Sequence, residues 1–72
     1  MRVVDIEATV ESIFDHIGNT SQREIARRLQ VSNTAVTKWK YGRTLPSIDT
    51  LVAMTELFDC TLNDLVKAKE IS

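Results

Sequence analysis

The segment Ser21-Gln22-Arg23-Glu24-Ile25-Ala26-Arg27-Arg28-Leu29-Gln30-Val31-Ser32-Asn33-Thr34-Ala35-Val36-Thr37-Lys38-Trp39-Lys40-Tyr41-Gly42 decides the fold. Ser21 followed three residues later by Glu24 is a capping-box pattern, in which the hydroxyl and the carboxylate each satisfy a backbone donor left open at a helix start. A helix is therefore expected to begin near Ser21, turn Ile25, Ala26 and Leu29 inward, and end near Gln30. Ser32 supplies another N-cap, and Ala35, Val36 and Trp39 form the inward stripe of a following helix that Gly42 stops. Only Gln30 and Val31 separate the two. Two helices joined by so short a turn form the unit in which one helix enters a DNA major groove while the other crosses the backbone.

Outward from this pair the pattern stays helical. Asp5 is placed to cap a first helix in which Ile6, Val10, Ile13, Phe14 and Ile17 recur at spacings of three and four, and Gly18-Asn19 stops it. Pro46 and Ser47 open a fourth helix with Ile48, Leu51, Val52, Thr55 and Phe58 expected inward. Thr61-Leu62-Asn63-Asp64 resembles a second capping box, ahead of Leu65 and Val66. The β-branched residues fall at helical rather than alternating spacing, so no strand is expected. The expected fold is all-α: one compact domain of five short helices over residues 1–72, with no linker or repeat dividing it.

Composition removes whole classes of function. Two glycines cannot furnish a Walker loop or a dinucleotide-binding fingerprint, which need several backbone positions without a Cβ near phosphate. A lone Cys60 forms no internal disulfide, and with His16 as the one histidine the chain falls short of a zinc ligand set. No catalytic nucleophile, base and metal set can be assembled, so no enzyme activity, cofactor or metal is expected. The start, Met1-Arg2-Val3-Val4-Asp5, lacks the apolar block of a signal peptide, and no apolar run is long enough to span a membrane. The chain is expected to be cytoplasmic, with no separate effector or protease domain.

A formal net charge of −1 hides a strong asymmetry. Residues 1–20 carry Arg2 against Asp5, Glu7, Glu11 and Asp15. Residues 44–72 carry Lys67 and Lys69 against Asp49, Glu56, Asp59, Asp64 and Glu70, so each outer third stands at −3. Residues 21–43 carry Arg23, Arg27, Arg28, Lys38, Lys40 and Arg43 against Glu24 alone, a balance of +5. This basic island coincides with the two-helix unit, and duplex DNA is held largely by cations placed near phosphates. The third helix turns Asn33, Thr34, Thr37 and Lys38 outward: Asn pairs with adenine in a bidentate manner, Lys donates to guanine N7 and O6, and a Thr methyl meets the thymine methyl. Arg23, Arg27 and Arg28 fit phosphate contacts and a solvated face equally well.

Residues 21–66, with Ser21-Gln22-Arg23-Glu24-Ile25-Ala26, Trp39, Gly42 and Leu45-Pro46-Ser47, resemble the Cro/CI-type (XRE-like) helix-turn-helix domain of phage and bacterial regulators. The resemblance implies a five-helix, lambda repressor-like fold. It implies that Asn33, Thr34, Thr37 and Lys38 occupy base-reading positions, that Ser21, Ser32, Tyr41 and Arg43 lie near phosphates, and that Gln22 both bonds a phosphate and props a recognition-helix side chain. Three features depart from the family pattern. Gln30 replaces the usual turn glycine, where a left-handed conformation costs about 1 kcal/mol. Lys40 stands where an acid is common, so an ion pair with Asp15 is expected in reversed polarity. The first helix is acidic, which disfavours phosphate contacts from it.

The expected activity is sequence-specific binding of double-stranded DNA by a transcriptional repressor, acting as a homodimer on a two-fold operator. A 72-residue chain leaves apolar residues at both ends that five short helices do not cover, so Leu65, Val66 and Ile71, with Val3 and Val4, are the candidate dimer contacts. The alternative is an interaction module of the same fold that binds another regulator or a toxin through its acidic thirds. Trp39 and Cys60 are read as core residues and His16 as a surface residue.

Overall fold

Each helix in the computed structural model, which describes residues 1–71, starts at a side-chain cap. Asp5, Ser21, Ser32, Ser47 and Thr61 each accept a hydrogen bond from a backbone N–H of the first turn, opening α1 (Ile6–Ile17), α2 (Gln22–Leu29), α3 (Asn33–Lys40), α4 (Ile48–Phe58) and α5 (Leu62–Leu65). At Thr61 the capping box is complete, with Asp64 returning a carboxylate oxygen to the Thr61 N–H at 2.9 Å. At Ser21 it is half made. The Ser21 hydroxyl accepts from Glu24 N–H, but the Glu24 carboxylate turns away to Arg27 and Arg28.

Helix ends are equally local. Gln30 takes a left-handed conformation, φ 57° and ψ 43°, and the N–H of Val31 reaches back to Ala26 O at 3.0 Å. Gly42, at φ +69°, does the same for α3, with Gly42 N–H on Trp39 O and Arg43 N–H on Lys38 O. These paired reverse bonds satisfy carbonyls that the helix itself leaves open. The turn therefore closes without glycine at Gln30.

Ile13, Ile17, Ile25, Ala26, Leu29, Val36, Trp39, Leu51, Met54 and Leu65 form one buried cluster drawn from all five helices. Trp39 is core as its stripe position indicates, and Cys60 packs against the cluster, half-buried. The arc that α4 turns inward differs from the expected one. Leu51 and Met54 are buried, whereas Ile48 is 71% and Val52 44% exposed. Apolar residues surround much of α4, so spacing alone does not fix its rotation. Ile6 is also exposed, and leans on the α3 end, where a Cβ on Gly42 would lie 3.7 Å from its Cγ2.

Two strands were not expected. β1 (Arg2–Val4) pairs antiparallel with β2 (Ala68–Glu70), Val3 opposite Lys69. Three-residue strands are too short for an alternating pattern to show, and this ribbon is held by backbone groups and by Thr9. Thr9, 1% exposed, accepts from Lys67 N–H at 2.9 Å and donates to Lys67 O, while Asp5 N–H donates to the same carbonyl at 2.8 Å. The start of α1 thus pins the chain leaving α5, which brings the two ends of the described chain together. Leu65 is wholly inside the protomer, so it offers nothing to a partner, contrary to expectation; Val66 is half-buried and Ile71 43% exposed.

Candidate nucleic-acid interface

α2 and α3 pack on each other across the Gln30-Val31 turn. Asn33, Thr34 and Lys38 are exposed on α3, and Thr37 is half-buried. Gln22, the first residue of α2, reaches across to this helix. Its side-chain Nε2 donates to Thr37 Oγ1 at 2.6 Å, to Asn33 O at 3.2 Å and to Asn33 Oδ1 at 3.3 Å.

This brace sets what each side chain has left to offer. Thr37 Oγ1 accepts from Gln22 and donates to Asn33 O at 3.2 Å, so its hydroxyl is spent within the protein and its methyl remains for an outside group. Asn33 keeps its amide donors and one carbonyl lone pair, the donor and acceptor pair that an adenine edge requires. Both N–H groups of the Gln22 amide are turned toward α3. Gln22 also carries a backbone N–H in the first turn of α2, where a helix leaves its N–H groups without an intrahelical partner, a group suited to an anion.

The other residues singled out for phosphate flank the same surface. Ser21 and Ser32 accept backbone bonds through their hydroxyl oxygens, at 3.2 and 3.0 Å, which leaves each O–H free to donate. Tyr41 caps α3 and is 68% exposed, with the Lys40 ammonium 6.0 Å from its ring centre. Arg43 is exposed, its backbone fixed by the bond to Lys38 O. The basic island divides in two. Glu24 holds Arg27 and Arg28, and those two guanidinium groups hold its carboxyl down at about pKa 2, Arg27 contributing most. Among the described residues Arg23, Lys38, Lys40 and Arg43 make no ion pair.

The expected Asp15–Lys40 pair does not form. Lys40 borders a hollow with Phe14, Ile17, Gly18, Thr20 and Gln22, on the side of α1 that meets α3, whereas Asp15 borders a groove with Glu11, His16, Asp64 and Lys67. Asp15 and Lys40 lie on different sides of α1. Lys40 is thereby left as a free cation beside Gln22, a position the expected pairing had concealed. His16 is exposed, its Nδ1 2.8 Å from Ser12 O and its ring near Phe58. Burial pushes the Cys60 thiol up, which suits a packing residue and not a nucleophile. No group of three or more His, Cys, Asp or Glu among the described residues is arranged to hold a metal ion.

A family profile described as helix-turn-helix matches residues 18–65, which span the braced pair and the two helices that follow it, α4 and α5. The chain belongs to the XRE-type helix-turn-helix family. A curated relative, the HTH-type transcriptional activator BcrR of Enterococcus faecalis, is 32% identical over 53 residues, 74% of this chain. The chain spans only 26% of that protein's length. Two solved structures share the fold. The SOS-response transcriptional repressor LexA of Eubacterium rectale superposes with a TM-score of 0.80 at 23% identity, over 93% of this chain and 73% of that one. A candidate DNA-binding protein of Bacteroides fragilis superposes with a TM-score of 0.62 at 21% identity, over 93% of this chain and all of the other. The helix-turn-helix unit of this family is a DNA-binding domain of transcription regulators, and residues 21–43 are that unit here.

Proposed function

We propose that this domain reads duplex DNA by sequence through α3, and that it represses transcription as a homodimer occluding a promoter on a two-fold operator. The observation that carries the reading is the Gln22 brace, which presents Asn33 and Thr37 beside Thr34 and Lys38, while three further cations without ion pairs among the described residues, Arg23, Lys40 and Arg43, lie on or next to the same two helices. In it Asn33 pairs with an adenine edge, Lys38 donates to a guanine, and the Thr34 and Thr37 methyls meet thymine methyls. Ser21 and Ser32 donate hydroxyls to phosphates, Gln22 its backbone N–H, and Tyr41, Arg43 and Lys40 complete the backbone contacts. A helix this short reads few base pairs, so two copies about one helical turn apart supply the rest of the specificity. The domain acts in the cytoplasm, where its DNA lies; among the described residues no helix is long and apolar enough to cross a membrane.

The relative named as an activator supports regulation without its sign, which follows from where the operator lies relative to the promoter. A second reading has one observation of its own. Glu7, Glu11 and Asp15 stand exposed along α1 at intervals of one turn and make no ion pair among the described residues, a surface suited to a basic partner such as another regulator. Footprinting the purified protein over the DNA upstream of its own coding sequence separates the two. Protection of two half-sites supports the operator reading; bare DNA together with a co-purifying regulator or toxin supports the other.

A further inference from the structure

The terminal ribbon leaves two rows of backbone donors and acceptors unpaired. Asp5 N–H donates to Lys67 O and Ile71 N–H to Met1 O, and between them Arg2 faces Glu70, Val3 faces Lys69 and Val4 faces Ala68. Antiparallel pairs alternate between hydrogen-bonded and non-hydrogen-bonded positions, so Val3 turns its backbone groups to β2, and Arg2 and Val4 turn theirs outward. On β2 the outward residues are Ala68 and Glu70. Among the described residues the sheet has no third strand, so both rows are free edges, and a free edge is a template for another strand.

Side chains decide which edge recognises which. If β2 paired with β2 of a second copy, Lys69 would stand opposite Lys69, and like charges directly opposite destabilise. If β1 paired with β2 of a second copy, each added chain would leave new edges and the assembly would not close. Pairing β1 with β1 sets Val3 opposite Val3 at the closely spaced, non-hydrogen-bonded position, and the outward groups of Arg2 and Val4 make two reciprocal bonded pairs. Apolar exposure is concentrated at the same place. Of the eight large apolar residues left exposed, Met1, Val4, Ile6 and Ile71 lie in the strands or within two residues of them.

We propose that a second copy of this chain adds its β1 antiparallel to the free β1 edge, about a two-fold axis at Val3, joining the two ribbons into one four-stranded sheet. The proposal rests on the homodimer reading and names its interface. The remaining exposed patch, Ile48 and Val52 on α4 with Leu62 on α5, is the rival surface.

Sedimentation equilibrium on the DNA-free chain tests it, with far-UV circular dichroism to follow the helices. Val4→Pro removes one outward N–H per copy and no bond within the ribbon, so it is expected to weaken dimerisation at least about tenfold with helical signal unchanged. Val3→Cys in a Cys60→Ala background is expected to oxidise to a covalent dimer, because side chains at such a position lie within disulfide reach. Val52→Lys is expected to leave the dimer intact. A wild-type monomer at about 100 micromolar, a dimer indifferent to Val4→Pro that Val52→Lys dissolves, or open-ended association each overturn the proposal. Duplex binding is followed separately by anisotropy. If protection of DNA persists while the β1 variants have no effect on assembly, the interface is wrong and the DNA reading stands.

Discussion

Gln22 and Thr37, fifteen residues apart, are joined by a 2.6 Å hydrogen bond that ties the start of α2 to the middle of α3. Because the same amide also reaches Asn33 Oδ1, one α2 side chain fixes the rotamers of two residues on the proposed reading face. Pre-set rotamers lower the entropy lost when the helix meets a base edge.

Gln22→Ala is therefore expected to weaken binding to the preferred duplex by about 1–2 kcal/mol while lowering fold stability by less than about 1 kcal/mol, since the lost bonds lie near solvent. Titration of duplex against variant, beside a thermal melt, measures both. Equal losses in stability and binding would mean that Gln22 is only a structural tie.

Gln30 sits at φ 57° without glycine's freedom. Gln30→Gly is expected to stabilise the domain by about 1 kcal/mol, which raises the Tm by about 4–8 °C for a domain of this size. An unchanged or lower Tm would show that the side chain compensates for its backbone.

Glu24 carries its charge down to about pH 2 because Arg27 and Arg28 both bond it. A depressed carboxylate pKa contributes stability above its ordinary pKa near 4.5, and that contribution fades as pH falls from there toward 2. The pair is exposed, so the effect on stability is small. Carbon-detected NMR titration is expected to find the Glu24 carboxyl pKa well below its ordinary value near 4.5, moving back toward that value in Arg27→Ala; no movement would show that Arg27 does not hold it.

Most of the frame was legible because it is local. Each cap is a Ser, Thr or Asp three residues ahead of the N–H it accepts, so Asp5, Ser21, Ser32, Ser47 and Thr61 could be read one helix at a time. What failed depends on the third dimension. The rotation of α4, the burial of Leu65 and the β1–β2 ribbon are set by which surfaces meet, and short strands with exposed side chains carry no alternation. The exposed α3 residues were legible from the stripe that Val36 and Trp39 leave behind. The inward turn of the Gln22 amide follows from the family resemblance, which implies that Gln22 props a recognition-helix side chain, and not from the residues alone, since a glutamine reaches a phosphate or a neighbouring helix equally well; Lys40 was misplaced because sequence spacing does not say on which side of α1 Asp15 lies.

Lys40 and Asp15 are accordingly expected to behave independently. Asp15→Ala and Lys40→Ala should combine additively in stability within about 0.5 kcal/mol, while Lys40→Ala alone weakens duplex binding and reduces the salt slope by about 0.9. A coupling above about 1 kcal/mol in the double-mutant cycle would restore the ion pair.

The central claim is that α3 reads bases while the cations around it hold phosphate. It is tested most directly by selecting duplexes from a randomised pool and measuring Asn33→Ala, Lys38→Ala and Arg43→Ala on the winning site and its single-base variants across a salt series. Asn33→Ala and Lys38→Ala are expected each to lose about 1–3 kcal/mol of discrimination at one base pair per half-site. Arg43→Ala is expected to weaken every sequence alike and to flatten the salt slope by about 0.9. A pool that yields no preferred sequence, or three variants that lose affinity uniformly on all duplexes, would contradict base reading by α3.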